Sequence, residues 1–206
     1  MERKVVCSID GLVEAMVYGD EAAVDDAMEQ LVECGASAVP AMISVLRSPV
    51  PSHRNRAALV LREIADDSAV SALIEAIERP ENRHHTGTLI YALQTMDCRK
   101  QFWTLFRLVL EGDFEERCMA HVILEDQALE VTPADLERAK NQLHAVVPNE
   151  LGPRFPAAIR ELLDEIERRS LRGDAQMDQW DGLVASLIKE YAARGVRAST
   201  GDRNVG

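Results

Sequence analysis

A period of 31–32 residues constrains this chain more than any other feature in it. Val39, Met42, Ile43 and Leu46 stand 31 positions before Val70, Leu73, Ile74 and Ile77, and a further 32 positions on come Phe102, Leu105, Phe106 and Val109. Each quartet is spaced i, i+3, i+4, i+7, the apolar stripe of a helix buried on one side. Each stripe ends at a breaker in the same phase: Pro49, Pro80 and Gly112. Proline has no N–H and its ring clashes with the preceding turn, so it stops a helix. A second helix recurs behind each breaker. Ala57, Ala58, Leu61 and Ile64 answer to Leu89, Ile90, Leu93 and Met96, and then, in a slightly shifted register, to Ala120, Ile123 and Leu124. A non-repetitive bundle would need three stripes and three breakers to coincide. A solenoid needs only hairpins that each bury a face against a neighbour. The reading is therefore all-α: a right-handed α-solenoid of antiparallel helical hairpins with helical caps.

The flanks follow the helical pattern without the strict period. Residues 9–17 and 20–34 read as a terminal hairpin, the second helix burying Ala23, Ala27, Leu31 and Cys34 and turning Asp25, Asp26, Glu29 and Glu33 outward. Terminal repeats need such a polar side. Gly35 suits the position after that helix, where the chain takes positive φ. Beyond Glu130 the period decays. Thr132 and Pro133 start a helix over 133–147, Pro148, Gly152, Pro153 and Pro156 make a loop, and 157–169 forms a helix around Ile159, Leu162, Leu163 and Ile166. The solenoid spans 1–170, with its clearest repeats in 36–126. Residues 171–176 read as a linker. An amphipathic helix over 177–194, with Trp180, Leu183, Val184, Leu187, Ile188 and Tyr191 on one face, is expected to pack on the solenoid, and 195–206 is expected to be a disordered tail.

Composition narrows the function classes. Aromatic residues make up only 4% of the chain, which suits close helix packing over a sandwich or barrel. A net charge of −12 opposes binding to a phosphate backbone, so no nucleic acid is expected as a partner. No run approaches the roughly 20 apolar residues of a membrane span, and MERKVVCSID lacks the apolar core of a secretory signal. Cys7, Cys34, Cys98 and Cys118 form no CxxC pair. Reduced thiols in a cytoplasmic protein, away from membranes, are the expectation.

The second helix of the first full unit carries a family pattern. RNRAALVLREIAD at 54–66, followed by Ser68-Ala69-Val70 and Leu73-Ile74, resembles the bacterial HEAT-like repeats of phycobilin lyases, which run roughly V-R-x-A-A-x-x-A-L-G-x-I-G-D and then A-V-x-x-L-I-x-A-L. The resemblance covers residues 36–126. It implies the fold strongly and function weakly, because such repeats occur in adaptors, scaffolds and a few enzymes. It also implies that the arginine after the inter-helix turn, Arg54 and Arg117 here, ties adjacent repeats by bonding carboxylates or carbonyls. Thr86 stands in its place in the second unit, and Arg62 and Ala65 fill positions where the family has glycine.

Chemistry-bearing clusters are scarce. An iron-dependent hydroxylase on this type of scaffold uses His-Glu dipeptides, and none of His53, His84, His85, His121 and His144 precedes a glutamate. Adjacent His84 and His85 diverge by about a hundred degrees on a helix. Cys98 and Cys118 read as small buried thiols without a positioned base. Asp113, Glu115 and Glu116 sit at a helix start, where carboxylates favour the positive dipole end. No catalytic, cofactor or metal residues are assigned, and no cofactor is expected. The surface assigned to function is the outward row of the second helices: Leu59, Tyr91 and Val122, flanked by Arg62, Gln94 and Glu125. Such concave rows usually bind. The expectation is a non-enzymatic protein–protein interaction module, an adaptor or scaffold in a bacterial cytoplasm. The alternative is a chromophore (bilin) lyase-like enzyme or a subunit of one. The partner's identity and the oligomeric state stay open.

Overall fold

The computed structural model describes residues 8–145 and 154–172. The chain divides into two units, Met1–Asp174 and Ala175–Gly206, and all the described residues belong to the first. The helix expected over 177–194, the tail over 195–206 and positions 173–176 of the linker lie outside the described residues.

Among the described residues ten α-helices follow one another: α1 (Ile9–Tyr18), α2 (Glu21–Glu33), α3 (Val39–Val45), α4 (Pro51–Ile64), α5 (Val70–Glu78), α6 (Gly87–Leu93), α7 (Phe102–Glu111), α8 (Phe114–Asp126), α9 (Pro133–Ala145) and α10 (Arg154–Arg172). The described residues include no strand. Odd and even helices pair into five hairpins, and the even helices form a continuous layer in which α2 packs on α4, α4 on α6, α6 on α8 and α8 on α10. This is an α-solenoid of HEAT-like hairpins. Because α10 runs through Arg172, the first two positions of the expected linker continue a helix.

Local chemistry sets the helix ends. Ser8 and Asp20 are extended N-caps whose side chains accept from the Gly11 and Ala23 N–H groups at 3.2 and 2.9 Å. Asp113 and Glu116 close a full capping box on α8, satisfying one free N–H on each side. That accounts for the acidic cluster as a cap. Proline in the first turn of α3 and α4 removes only N–H groups that have no helical partner. Gly35 takes φ 57° after α2, as expected, while α4 ends with Ala65 at φ 55°. An alanine thus occupies a left-handed turn where the repeat family has glycine.

The stripes are the core. Val39, Met42 and Leu46 are buried in the first, with Ile43 half-buried, and all four of Phe102, Leu105, Phe106 and Val109 are buried in the third. The Phe102 and Phe106 rings stack at 5.6 Å, an i, i+4 pair on the buried face. Met96 remains buried although α6 stops at Leu93, so the second unit's helix is shorter than its apolar pattern.

The arginines distribute their task differently from the family expectation. Arg54 is buried and donates to the Ser48 carbonyl in the turn after α3 at 2.8 Å, and Arg117 donates to the Leu110 carbonyl in the last turn of α7 at 3.3 Å, each within its own hairpin. The carboxylate of Glu81 in the next hairpin supports the Arg54 charge from further off. Where the second unit lacks the arginine, buried Asn82 does the same work, donating to the Ala76 carbonyl at 2.7 Å. Thr86 instead donates to the Glu116 carboxylate of the following hairpin. A second bond between hairpins comes from Arg56, which reaches the Met16 carbonyl of α1 at 2.7 Å.

Candidate interaction surface

Leu59 and Arg62 lie on α4, Tyr91 and Gln94 on α6, and Val122 and Glu125 on α8, so the six assigned residues fall on three helices packed in sequence. Leu59, Tyr91 and Val122 are all half-buried, partly sunk between neighbouring helices and partly presented to solvent. The structure brings Arg62 and Tyr91 together: the guanidinium lies 4.2 Å from the ring centroid. A cation over a tyrosine face contributes about 0.5–1 kcal/mol at such sites. Arg62 also meets Glu63 at 2.6 Å, so its charge is locally balanced.

Gln94 reaches across to α8. Its amide donates to the Met119 sulfur at 3.4 Å, one turn before Val122. Glu125 is buried, and therefore sits deeper than the rim position its sequence phase implies. The ring nitrogen Nδ1 of His121 is 3.7 Å from its carboxylate, and Arg169 of α10 donates to its backbone carbonyl. Burial lowers the His121 pKa to about 4, so the imidazole beside Glu125 is neutral at physiological pH.

Two contributors were missed by sequence phase. Met119 stands three residues before Val122 on the same helical face, which was a usable signal. Thr95, whose hydroxyl donates to the Arg62 carbonyl at 2.8 Å, lies beyond the end of α6 and has no periodic signature. Further side-chain bonds lock the helix ends beside the row. Asp67 accepts from the Asp97 N–H at 2.7 Å, while Gln127 accepts from the Cys98 N–H at 2.7 Å and donates to the Met96 carbonyl at 2.8 Å. With α4, α6 and α8 pinned to one another, the row is a rigid strip.

The remaining reactive groups do not converge. Cys34, Cys98 and Cys118 are free thiols. Burial pushes the Cys98 thiol up to about 12 and raises that of Cys118, the opposite of what a nucleophile needs. His84 and His85 are exposed, and His84 faces Asp113 at 4.0 Å from a left-handed backbone of φ 68°. Among the described residues no three histidine, cysteine or carboxylate side chains gather as a metal site, and no helix is long and apolar enough to cross a membrane.

Neither a family model nor a curated protein matches the sequence. Among solved structures, the chain is similar to one from the complex of CpcE and CpcF of phycocyanin lyase from Nostoc sp. PCC7120, with a TM-score of 0.50 and 20% identity over 77% of this chain and 97% of that one. At that identity the likeness is one of fold. It is the fold that the stretch at 54–66 resembles.

Proposed function

We propose that this protein is a protein–protein interaction module, an adaptor or scaffold that receives a protein partner along the strip formed by Leu59, Arg62, Tyr91, Gln94 and Val122, with Glu125 buried beneath it. The observation that carries this reading is the row of half-buried apolar side chains crossing three successive helices and pinned there by bonds between hairpins. A rigid apolar strip with a polar border has the anatomy of a binding surface, and its rigidity lowers the entropy lost on association. The cytoplasm suits the free thiols of the described residues.

The test compares wild type with a Leu59→Glu/Tyr91→Glu double variant in affinity capture from native lysate, read by mass spectrometry. Circular dichroism first establishes equal helicity and thermal stability. Partners retained by wild type and lost by the variant support the reading. Equal capture by both refutes the strip.

A second reading is a chromophore (bilin) lyase-like enzyme or a subunit of one. It is favoured by the likeness in fold to a chain of the phycocyanin lyase complex. Under that reading the purified protein retains a coloured ligand, visible by absorbance and transferable covalently to an acceptor. A partner captured without any such pigment favours the adaptor.

A further inference from the structure

The hairpin α1–α2 carries charge of a single sign. Residues 8–34 include eight Asp and Glu and neither Lys nor Arg. Asp20 is occupied as the N-cap of α2, and Gln30 donates to Asp26 at 2.8 Å. Glu21, Asp25 and Glu29 are exposed and form no ion pair among the described residues. They repeat at i, i+4, a spacing at which like charges destabilise a helix. A solubilising cap needs only a mixed polar face, so the one-sided charge goes beyond what capping requires.

Backbone geometry says where these carboxylates stand. Gly35 after α2 and Ala65 after α4 are the left-handed positions of the two helix ends, with φ 57° and 55°. They stand 30 residues apart, and the buried Val24, Ala27 and Leu31 of α2 match the buried Arg54, Ala57 and Leu61 of α4 at that same offset. The same offset sets Asp25 on Asn55, Glu29 on Leu59 and Val32 on Arg62. Because α2 packs directly on α4, the strip of Leu59, Tyr91 and Val122 runs on into the exposed carboxylates of Glu29 and Asp25. Arg62, the cation of the strip, is already balanced by Glu63.

Spacing selects the shape of what fits. Packed helices lie roughly 8–10 Å apart, so successive members of the strip repeat at about that distance. Residues i and i+7 of a helix, on one face, are about 10.5 Å apart, whereas same-face residues of an extended strand are about 7 Å apart. Resting on the strip reading above, we infer that the partner docks through a basic amphipathic helix. Its apolar residues, repeating every two turns, meet Leu59, Tyr91 and Val122, and a Lys/Arg-rich end lies over Asp25 and Glu29.

The experiment uses two designed helical peptides of equal length with identical leucine faces, one flanked by lysine and one by glutamate. Their binding to the full chain is followed by fluorescence anisotropy against wild type, Asp25→Lys/Glu29→Lys and Tyr91→Glu. The expected result is that the lysine peptide binds wild type, weakens by about tenfold with Asp25→Lys/Glu29→Lys and again on raising salt, and is lost with Tyr91→Glu. The glutamate peptide should not bind wild type. If both peptides bind alike and both are lost with Tyr91→Glu, the strip stands and the basic partner is overturned. Lysine-peptide binding that ignores Tyr91→Glu also overturns the inference, because α2 then attracts cations independently of the strip. Failure of the lysine peptide to bind wild type overturns it as well, while lysate capture by the strip decides the wider reading separately.

Discussion

His121 should make the solenoid acid-sensitive in a way that one substitution removes. Burial holds its pKa at about 4, against a model-compound value of 6.5. The Glu125 carboxylate on its own helix lies 3.7 Å from its ring, and Arg169 of α10 bonds the Glu125 carbonyl. Between those two pH values the unfolded chain binds a proton that the native state refuses. Stability therefore falls as pH drops through this window, at a limiting slope of about 1.4 kcal/mol per pH unit. Integrated from neutral pH, the loss reaches about 2 kcal/mol at pH 5 and roughly 3 kcal/mol at pH 4. Urea unfolding of wild type and His121→Leu at pH 7 and pH 5 isolates this contribution, since the other titrating groups are shared. Leucine holds no proton, so the gap between the two proteins should move by about 2 kcal/mol in favour of His121→Leu on acidification. An unchanged gap refutes the reasoning. It would mean that protonated His121 gains enough from Glu125 to offset its desolvation.

Four further expectations follow from single positions. Ala65→Gly relieves a left-handed alanine worth about 1–2 kcal/mol, less the entropy glycine adds to the unfolded chain, for a net stabilisation of roughly 0.5–1 kcal/mol in denaturant titration. Gly35→Ala should destabilise by a similar amount purely through its backbone, because an added Cβ there meets nothing within 4 Å. Gln127→Ala removes both bonds that join the end of α8 to the backbone at Met96 and Cys98, and should cost about 1–3 kcal/mol, with faster amide exchange at Cys98. Cys98, its thiol raised to about 12, should react with a disulfide reagent at neutral pH only as fast as the protein opens, and at full rate in denaturant.

The fold was legible because its cause is periodic. Quartets such as Val70, Leu73, Ile74 and Ile77 can be read without knowing what they touch, since only a helix places all four on one side. Gly35 was legible from residue type, since glycine takes a positive φ at no steric cost. The strip was harder. Helical phase orders residues around an axis but does not say how far two axes approach, so it set Glu125 at the rim, while the closeness of α10 and Arg169 buries it. Arg62 and Tyr91 are 29 positions apart and no local rule announces their stack. The substitution of Asn82 for the family arginine was invisible for a different reason. A carbonyl can be satisfied by any donor that reaches it, and Asn82 lies four positions before the matching site at Thr86.

That interchange bears on where selection has left freedom in the array. The carbonyls near the ends of α5 and α7 and in the turn after α3 each need a donor, and they receive one from Asn82, Arg117 and Arg54, three solutions to one requirement. The contacts along the strip are not of this kind. A bound helix end is satisfied by chemistry alone, whereas Leu59, Tyr91 and Val122 bury part of their surface and leave the rest in water. Leu61, Leu93 and Leu124 on the same three helices are fully sunk because their phase turns them into the core. Exposure that recurs in phase on three successive helices is what a surface awaiting a second molecule would keep. The same logic separates it from Tyr18, which is 80% exposed at the end of α1 and meets the His53 ring edge-on at 5.9 Å. An isolated exposed aromatic is ordinary on a protein surface; an ordered row is the feature that calls for an occupant.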